Sequence, residues 1–314
     1  MRDTVAAIDV GTNSMRLTLA RPRRDGALDI VCERRDAVRS GEGVFASGSI
    51  APAAVERLLT VLARYGAICR AFDAEVRAVA TSAVREADNR HTVLARARRE
   101  TGVELEVLSG REEARLICRG VLGNQPPHAR SLVIDVGGGS TEIISAYGER
   151  PLALWSLALG AVRLTERLGK REQGDELRAL RAHARAIVAD ALPRDIAGPT
   201  HAVLGSSGTI RAVVGFAAPA GTTSLTRGQL TRAVVDIAAM TADQRCAHFG
   251  ADRADIVTAG AVALEAIVEH VSVDAIAAVR TGLVHGVLAE MTRARTAMAA
   301  PRAAQADVRL AAER

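Results

Sequence analysis

The sequence predicts an α/β protein made of two copies of one domain facing each other across a cleft. Three observations carry that expectation. Ile8-Asp9-Val10-Gly11-Thr12-Asn13-Ser14 recurs as Ile134-Asp135-Val136-Gly137-Gly138-Gly139-Ser140, with Asp9 corresponding to Asp135. Duplication of a unit this size is the simplest account. Each copy reads as apolar strand, aspartate, tight turn, apolar strand, and 314 residues make about two domains at roughly 150 residues each.

The elements follow in order. Val5 to Val10 reads as a short apolar strand, the Gly11-Thr12-Asn13-Ser14 cluster as a hairpin turn, and Met15 to Leu19 and Ile30 to Val38 as further strands. Helical spacing begins after Pro52, with Val55, Leu58, Leu59, Leu62 and Ala63 on one face. Strand signals return at Val76 to Ala80 and Leu105 to Leu108, and helical ones from Asn89 to Glu100 and Arg111 to Val121. Gly123-Asn124-Gln125-Pro126-Pro127 reads as a linker. Beyond Ile143-Ile144 the chain reads as mostly helical, apart from a strand at Ala202 to Leu204 and a turn at Gly205 to Thr209. Val262, Ala263, Ile267 and Val271 fall at the spacing of a helix core. Gly41 to Ala46 fits GxGxxA but lacks the strand and helix that a dinucleotide loop needs.

Composition excludes several classes. Aromatics are 2% of the chain, too few for the stacking platforms of single-strand nucleic-acid readers, so nucleic acid is not an expected partner. No apolar run reaches the roughly 18 residues of a membrane span, and the N-terminus has no signal-peptide pattern; a cytoplasmic protein away from membranes is expected. Cys32, Cys69, Cys118 and Cys246 form no CxxC and read as buried, inert thiols; no HExxH or HxH pair marks a zinc enzyme. Lys170 is the single lysine and does not sit in a GxxxxGK[ST] loop, which excludes a P-loop NTPase. The net charge of +5, carried by arginine, suits a polyanionic partner.

The two glycine-rich turns supply the chemistry. Such turns aim several backbone N–H groups one way and let an anion approach closely. An aspartate before each turn sets a carboxylate beside that anion, and a divalent cation between them resolves the repulsion. Two matching loops on duplicated halves make phosphate binding a stronger reading than ordinary hairpins.

These residues belong to a longer series of motifs: Ala7 to Leu17, Ala80 to Ala87, Ser109 to Leu116, Val133 to Glu142, Leu159 to Glu166 and Gly205 to Ile210. In content and order they resemble the exopolyphosphatase/guanosine pentaphosphate phosphatase family, over roughly residues 5 to 290. The resemblance implies two duplicated ribonuclease H-like (actin-like ATPase) domains, over 1–122 and 123–286, with a C-terminal helix of about 287–300 returning to the first. It implies Glu113 as general base, with Glu112 as the fallback. Taken alone, Glu113 reads as a solvated carboxylate in a helix's first turn. Asp135 and Glu142, with Asp9 opposite, match the family's metal-binding carboxylates for Mg²⁺ or Mn²⁺; a monovalent cation is a further expectation. Thr12, Asn13, Ser14, Gly137, Gly138, Gly139, Ser140 and Thr141 would donate to phosphate oxygens. Arg16 and Arg85 would contact the phosphate chain, and Ser207 and Gly208 the far phosphates or a nucleotide.

The resemblance implies an exopolyphosphatase acting on inorganic polyphosphate, as a homodimer. A guanosine pentaphosphate 5′-phosphohydrolase is the alternative in the same class, weakened because Gly282-Leu283-Val284-His285-Gly286 lacks the arginine usual there; Arg280 or His285 would have to compensate. A non-catalytic polyphosphate or nucleotide sensor and an ATP-dependent sugar kinase are the rivals of other classes. The resemblance is to the short, two-domain type expected to lack the extra helical region of longer relatives, and Pro301 to Arg314 reads as a frayed tail.

Overall fold

In the computed structural model, residues 3–23, 27–123, 129–168, 173–196, 198, 200 and 202–293 are described. Residues 124–127 of the expected linker, Lys170 and the tail from 301 onward lie outside them. In chain order the first half forms β1 (Thr4–Val10), β2 (Ser14–Pro22), β3 (Leu28–Ala37), α1 (Val44–Ser47), α2 (Pro52–Ala71), β4 (Ala74–Ala80), α3 (Ser82–Glu86), α4 (Arg90–Thr101), β5 (Leu105–Val107) and α5 (Gly110–Leu122). The second half begins with β6 (Arg130–Val136), β7 (Thr141–Tyr147), β8 (Arg150–Leu157), α6 (Ala161–Leu168), α7 (Gln173–Ala191), β9 (Ala202–Ser206) and α8 (Gly208–Ala217). It continues with β10 (Ser224–Thr226), α9 (Arg227–Ala239), α10 (Ala242–Phe249), α11 (Val257–His270) and β11 (Ala275–Ala278). A last helix, α12, covers 283–293.

The duplication extends to topology. One sheet runs β3-β2-β1-β4-β5 and the other β8-β7-β6-β9-β11, the second widened by β10. In each, a three-stranded antiparallel meander continues into parallel strands beside its first member. This is the duplicated ribonuclease H-like, actin-like architecture expected from the sequence. Asp9 and Asp135 lie near the C-terminal ends of β1 and β6, the edge at which open α/β sheets bind ligands.

Each sheet has its own core. Ile8, Met15, Leu17, Leu58, Leu62 and Tyr65 are buried in the first; Ile134, Ile143, Ile210, Val262 and Ile267 in the second. Two helices cross between the sheets. Helix α5 turns Ala114, Ile117, Cys118 and Val121 to Val133 and Ile144 of the second sheet, and Leu116 to Val5 and Ala7 of the first. Helix α12 lays Val284, Val287, Leu288 and Met291 into that same first-sheet cluster. The two helices touch backbone to backbone. A Cβ on Gly120 would lie 2.1 Å from the Gly282 carbonyl oxygen, and one on Gly286 would lie 1.8 Å from that of Leu116.

Several elements depart from the expectation. Strands β8, β10 and β11 stand where the chain read as helical. β8 is a sheet edge with a proline and mixed exposure, and β10 and β11 have three and four residues, so none carries a clean alternation. Helix α3 is five residues, too short for a helical period. The GxGxxA match opens only the one-turn α1. Cys69 and Cys118 are buried, and burial pushes both thiols up to about 11. Cys246 is exposed and Cys32 partly so, against the expectation for all four. Among the described residues no helix is long and apolar enough to cross a membrane.

Candidate active site

The two hairpin turns are built alike. Gly11 N–H donates to the Ser14 carbonyl (3.2 Å) and Gly137 N–H to that of Ser140 (2.9 Å). A Cβ on either glycine would stand 2.9 Å from that acceptor, so both positions require glycine for the same reason. The tips meet: a Cβ on Gly138 would be 2.9 Å from the Cβ of Thr12. Between them opens a cavity of about 120 Å³.

Of the residues singled out in the sequence, Asp9, Thr12, Asn13, Ser14, Arg16, Glu113, Asp135, Gly137, Gly138, Ser140, Ser207 and Gly208 line this cavity. Four do not. Gly139 packs against Phe45 and Ser82, and its carbonyl accepts from Arg163 Nε at 2.6 Å. Thr141 donates its hydroxyl to the Leu159 carbonyl instead of facing a phosphate. Glu142 is buried with its Oε1 accepting from Ser156 Oγ at 2.8 Å. Arg85 points at Glu113, with Nη1 donating to Oε2 at 2.8 Å and to the Leu108 carbonyl at 3.0 Å. Asn13, though on the wall, commits its amide to the Asp252 carbonyl at 2.9 Å.

Glu113 is held rigidly. Ser109 caps α5 by accepting from Glu112 N–H, and Gly110 fits closely under Ser156, where a Cβ would lie 2.4 Å from Oγ. Glu113 is 7% exposed, so the solvated first-turn reading does not hold. Burial pushes its carboxyl up to about 7, opposed by Arg85 and reinforced by the charges of Asp9 and Asp135. The fallback, Glu112, is bound by Arg115 at 2.6 and 2.8 Å and does not reach the cavity.

The aspartates are perturbed in the same direction. Burial raises Asp9 to about 6, with Arg16 pulling it down and Asp135 pushing it up. Burial also raises Asp135, against a Ser206 hydrogen bond and the charges of Arg16 and Arg211. Asp9 Oδ1 is buried without a hydrogen-bond partner. A divalent cation fits this pair: it would satisfy the orphaned oxygen, and Mg²⁺ commonly takes one or two carboxylates and fills its shell with water and substrate phosphate. Among the described residues no three His, Cys, Asp or Glu side chains gather as a metal cage. Glu142, whose Oε1 is taken by Ser156, has its acid held well above the usual range by burial, Glu113 and Asp135.

The rest of the wall mixes arginines, hydroxyls, backbone and a few apolar side chains such as Ile117 and Leu283. Ser207, at φ 110°, is a non-glycine residue in a strained backbone region; it caps α8 by accepting from Ile210 N–H and presents that helix's N-terminus to the cavity. Arg35, Arg253, Thr81 and Ser206 also line it and were not singled out in the sequence. Thr81 and Ser206 lie inside motifs that were recognised, at the ends of β4 and β9. Nothing local distinguishes Arg35 and Arg253 from the other arginines. Val284 is 5% exposed in the α12 core, so no arginine reaches the cavity from that position, and His285 Nδ1 accepts from Gly282 N–H at 3.3 Å.

Comparison with known proteins agrees with this architecture. The model of the Ppx/GppA phosphatase family matches residues 21–294. Exopolyphosphatase 1 of Mycobacterium tuberculosis is 34% identical over 298 residues, 89% of this chain and 87% of that protein. A crystal structure of an exopolyphosphatase from Cytophaga hutchinsonii superposes with a TM-score of 0.82 at 27% identity, covering 92% of this chain and 97% of that one. The Aquifex aeolicus Ppx/GppA structure gives 0.75 at 28% identity, over 93% and 98%. The match runs through both lobes and the helices between them, and the chain belongs to the Ppx/GppA phosphatase family.

Proposed function

We propose that this protein is an exopolyphosphatase, releasing orthophosphate from the end of inorganic polyphosphate. The observation that carries the reading is the meeting of two aspartate-bearing hairpin tips beneath a buried glutamate, in one cavity that Arg16, Arg35 and Arg253 also line. A divalent cation held by Asp9 and Asp135 would neutralise charge on the terminal phosphates. The two turns and the α8 N-terminus would grip phosphate oxygens, and Arg16 would balance charge that develops on the leaving chain. Glu113, its basicity raised by burial, would accept the proton of the water that attacks the terminal phosphorus. Arg85 positions that carboxylate rather than binding substrate.

The relatives named exopolyphosphatase support the substrate class, and Val284 in the helix core favours an inorganic chain over a guanosine head group. The test is incubation of the purified protein with polyphosphate and Mg²⁺, reading free orthophosphate and chain length together. The reading expects orthophosphate with progressive end-wise shortening, abolished by EDTA. Internal cleavage into fragments, or no orthophosphate, would overturn it.

A further inference from the structure

The motif Leu159 to Glu166 puts no residue on the wall of the catalytic cavity, yet it packs against the second hairpin turn from behind. Gly160 makes the approach possible: a Cβ there would lie 2.5 Å from the Gly138 carbonyl oxygen. The start of α6 then takes the carbonyls of that turn. Ala161 N–H donates to Gly137 at 3.0 Å, Val162 and Arg163 N–H donate to Gly138 at 2.8 and 3.1 Å, and Arg163 Nε donates to Gly139 at 2.6 Å. In a trans peptide the N–H points opposite to the C=O. Holding these three carbonyls toward α6 therefore turns the N–H groups of Gly138, Gly139 and Ser140 away from it. The same guanidinium reaches the first lobe. Arg163 Nη2 lies 2.6 Å from both carboxylate oxygens of Glu86 and 3.4 Å from Ser82 Oγ, and the guanidinium carbon sits 3.9 Å from the centre of the Phe45 ring. Against partial burial, the hydrogen bonds from Arg163 and Ser82 hold the Glu86 carboxyl below its ordinary value, so Glu86 is ionised at neutral pH.

Glu86 is the last residue of α3, and its neighbour Arg85 holds Glu113. One short helix thus joins the second hairpin turn, through Glu86 and Arg163, to the buried glutamate, through Arg85. We infer that Arg163 is a positioning residue that couples the two: it keeps the N–H groups of the turn aimed at the substrate and fixes their placement relative to Glu113 across the lobes. The inference rests on the exopolyphosphatase reading, in which the turn grips the terminal phosphate and Glu113 activates water. In-line attack needs both held in one frame, and a misplacement of about 1 Å costs roughly 100-fold in rate. Arginine suits the position because its planar fork spans Gly139 with Nε and Glu86 with Nη2, whereas a lysine ammonium is a single point charge on a flexible stem. Arg163 does not line the cavity, so it acts through its partners and not on the substrate itself.

The test compares Arg163→Gln, Arg163→Lys and Glu86→Ala with the unsubstituted protein, reading kcat and KM for phosphate release from polyphosphate, with thermal melts confirming folding. Glu86→Ala breaks the ion pair and leaves the Gly139 contact, so kcat should fall roughly tenfold with KM within about twofold. Arg163→Gln also releases the Gly139 carbonyl, so kcat should fall roughly 100-fold and KM should rise about fivefold, with Arg163→Lys intermediate. Adding Glu86→Ala to Arg163→Gln should cost nothing further, because the two side chains form one tie. Full kcat in Glu86→Ala, or a double variant whose loss equals the product of the two single losses, would overturn the coupling. If the unsubstituted protein releases no phosphate, the exopolyphosphatase reading fails separately, and amide hydrogen exchange decides the coupling. Glu86→Ala should then speed exchange of the Ala161 and Val162 amides roughly tenfold, although they lie in the other lobe. Unchanged exchange at those amides would overturn it.

Discussion

Arg16 and Glu142 occupy the same register position in the two copies of one hairpin, opposite Asp9 and Asp135 respectively, one a base and the other an acid. Duplication preserved the backbone and the aspartate but divided the roles: one hairpin offsets its aspartate with a cation, and the other stacks a second acid beside it. Glu142→Gln keeps the shape and the Ser156 contact while removing an acid that burial and its neighbours hold protonated. At pH 8 without metal it should raise the melting temperature by roughly 2–4 °C, and the gain should be clearly smaller at pH 5.5. Arg16→Gln should do the reverse at pH 8 and raise KM for polyphosphate. A melting temperature in Glu142→Gln that is lower at both pH values would refute this division.

Acidity and metal should trade against each other. Asp9, Glu113, Asp135 and Glu142 all titrate in the folded protein above their ordinary values, Asp9 near 6 and Glu113 near 7. Between about pH 5 and 7, above the range of the carboxylates that ion pairs hold low, these four keep more protons in the folded state than in the unfolded chain, and stability falls as pH rises through that window. His183 and His285, depressed by burial, oppose the trend only below about 6.5. The metal-free protein should melt several degrees lower at pH 8 than at pH 5.5, and Mg²⁺ should restore more at pH 8. Equal Mg²⁺ stabilisation at both values would argue against a carboxylate-held cation.

The crossing of α5 and α12 fixes where Glu113 stands. Gly286→Ala places a methyl group within 1.8 Å of the Leu116 carbonyl oxygen, so the helices must separate. Overpacking of this kind costs about 3 kcal/mol, and a displacement of Glu113 near 1 Å costs about 100-fold in kcat/KM. Normal activity with normal stability would show that the crossing does not position the glutamate.

Glu290 on α12 receives Arg77 at 2.6 Å, Arg115 at 2.7 Å and Arg119 at 3.0 Å. The Arg77 and Arg115 hydrogen bonds outweigh its partial burial and hold the carboxyl below its ordinary value, so its stabilisation is present above about pH 4.3 and fades as pH falls through the folded value. Glu290→Gln should cost about 1–2 kcal/mol at pH 7, and less at pH 3.5, by urea titration. A cost independent of pH would mean that shape, not charge, matters there.

Much of this was legible in the sequence because two loops repeat. The repeated Asp-x-Gly pattern marks both hairpins, and their register then fixes which side chains oppose the aspartates. Illegible were the features set by long-range packing. Arg85 is a phosphate contact by the family resemblance alone; only the fold shows α3 aiming it at Glu113. Arg253 sits in an irregular turn among many arginines and joins Gly208 and Arg16 on the cavity wall only through the fold. Strand β8 was lost because an edge strand needs neither clean alternation nor full burial.

The most direct measurement is the rate of phosphate release by Glu113→Gln on polyphosphate, with folding checked by circular dichroism. With Glu113 as the base, kcat should fall about a thousandfold, and the rise in rate toward pH 7 expected of the unsubstituted protein should disappear. A folded Glu113→Gln protein that turns over at close to the original rate, with the same pH profile, would contradict the account.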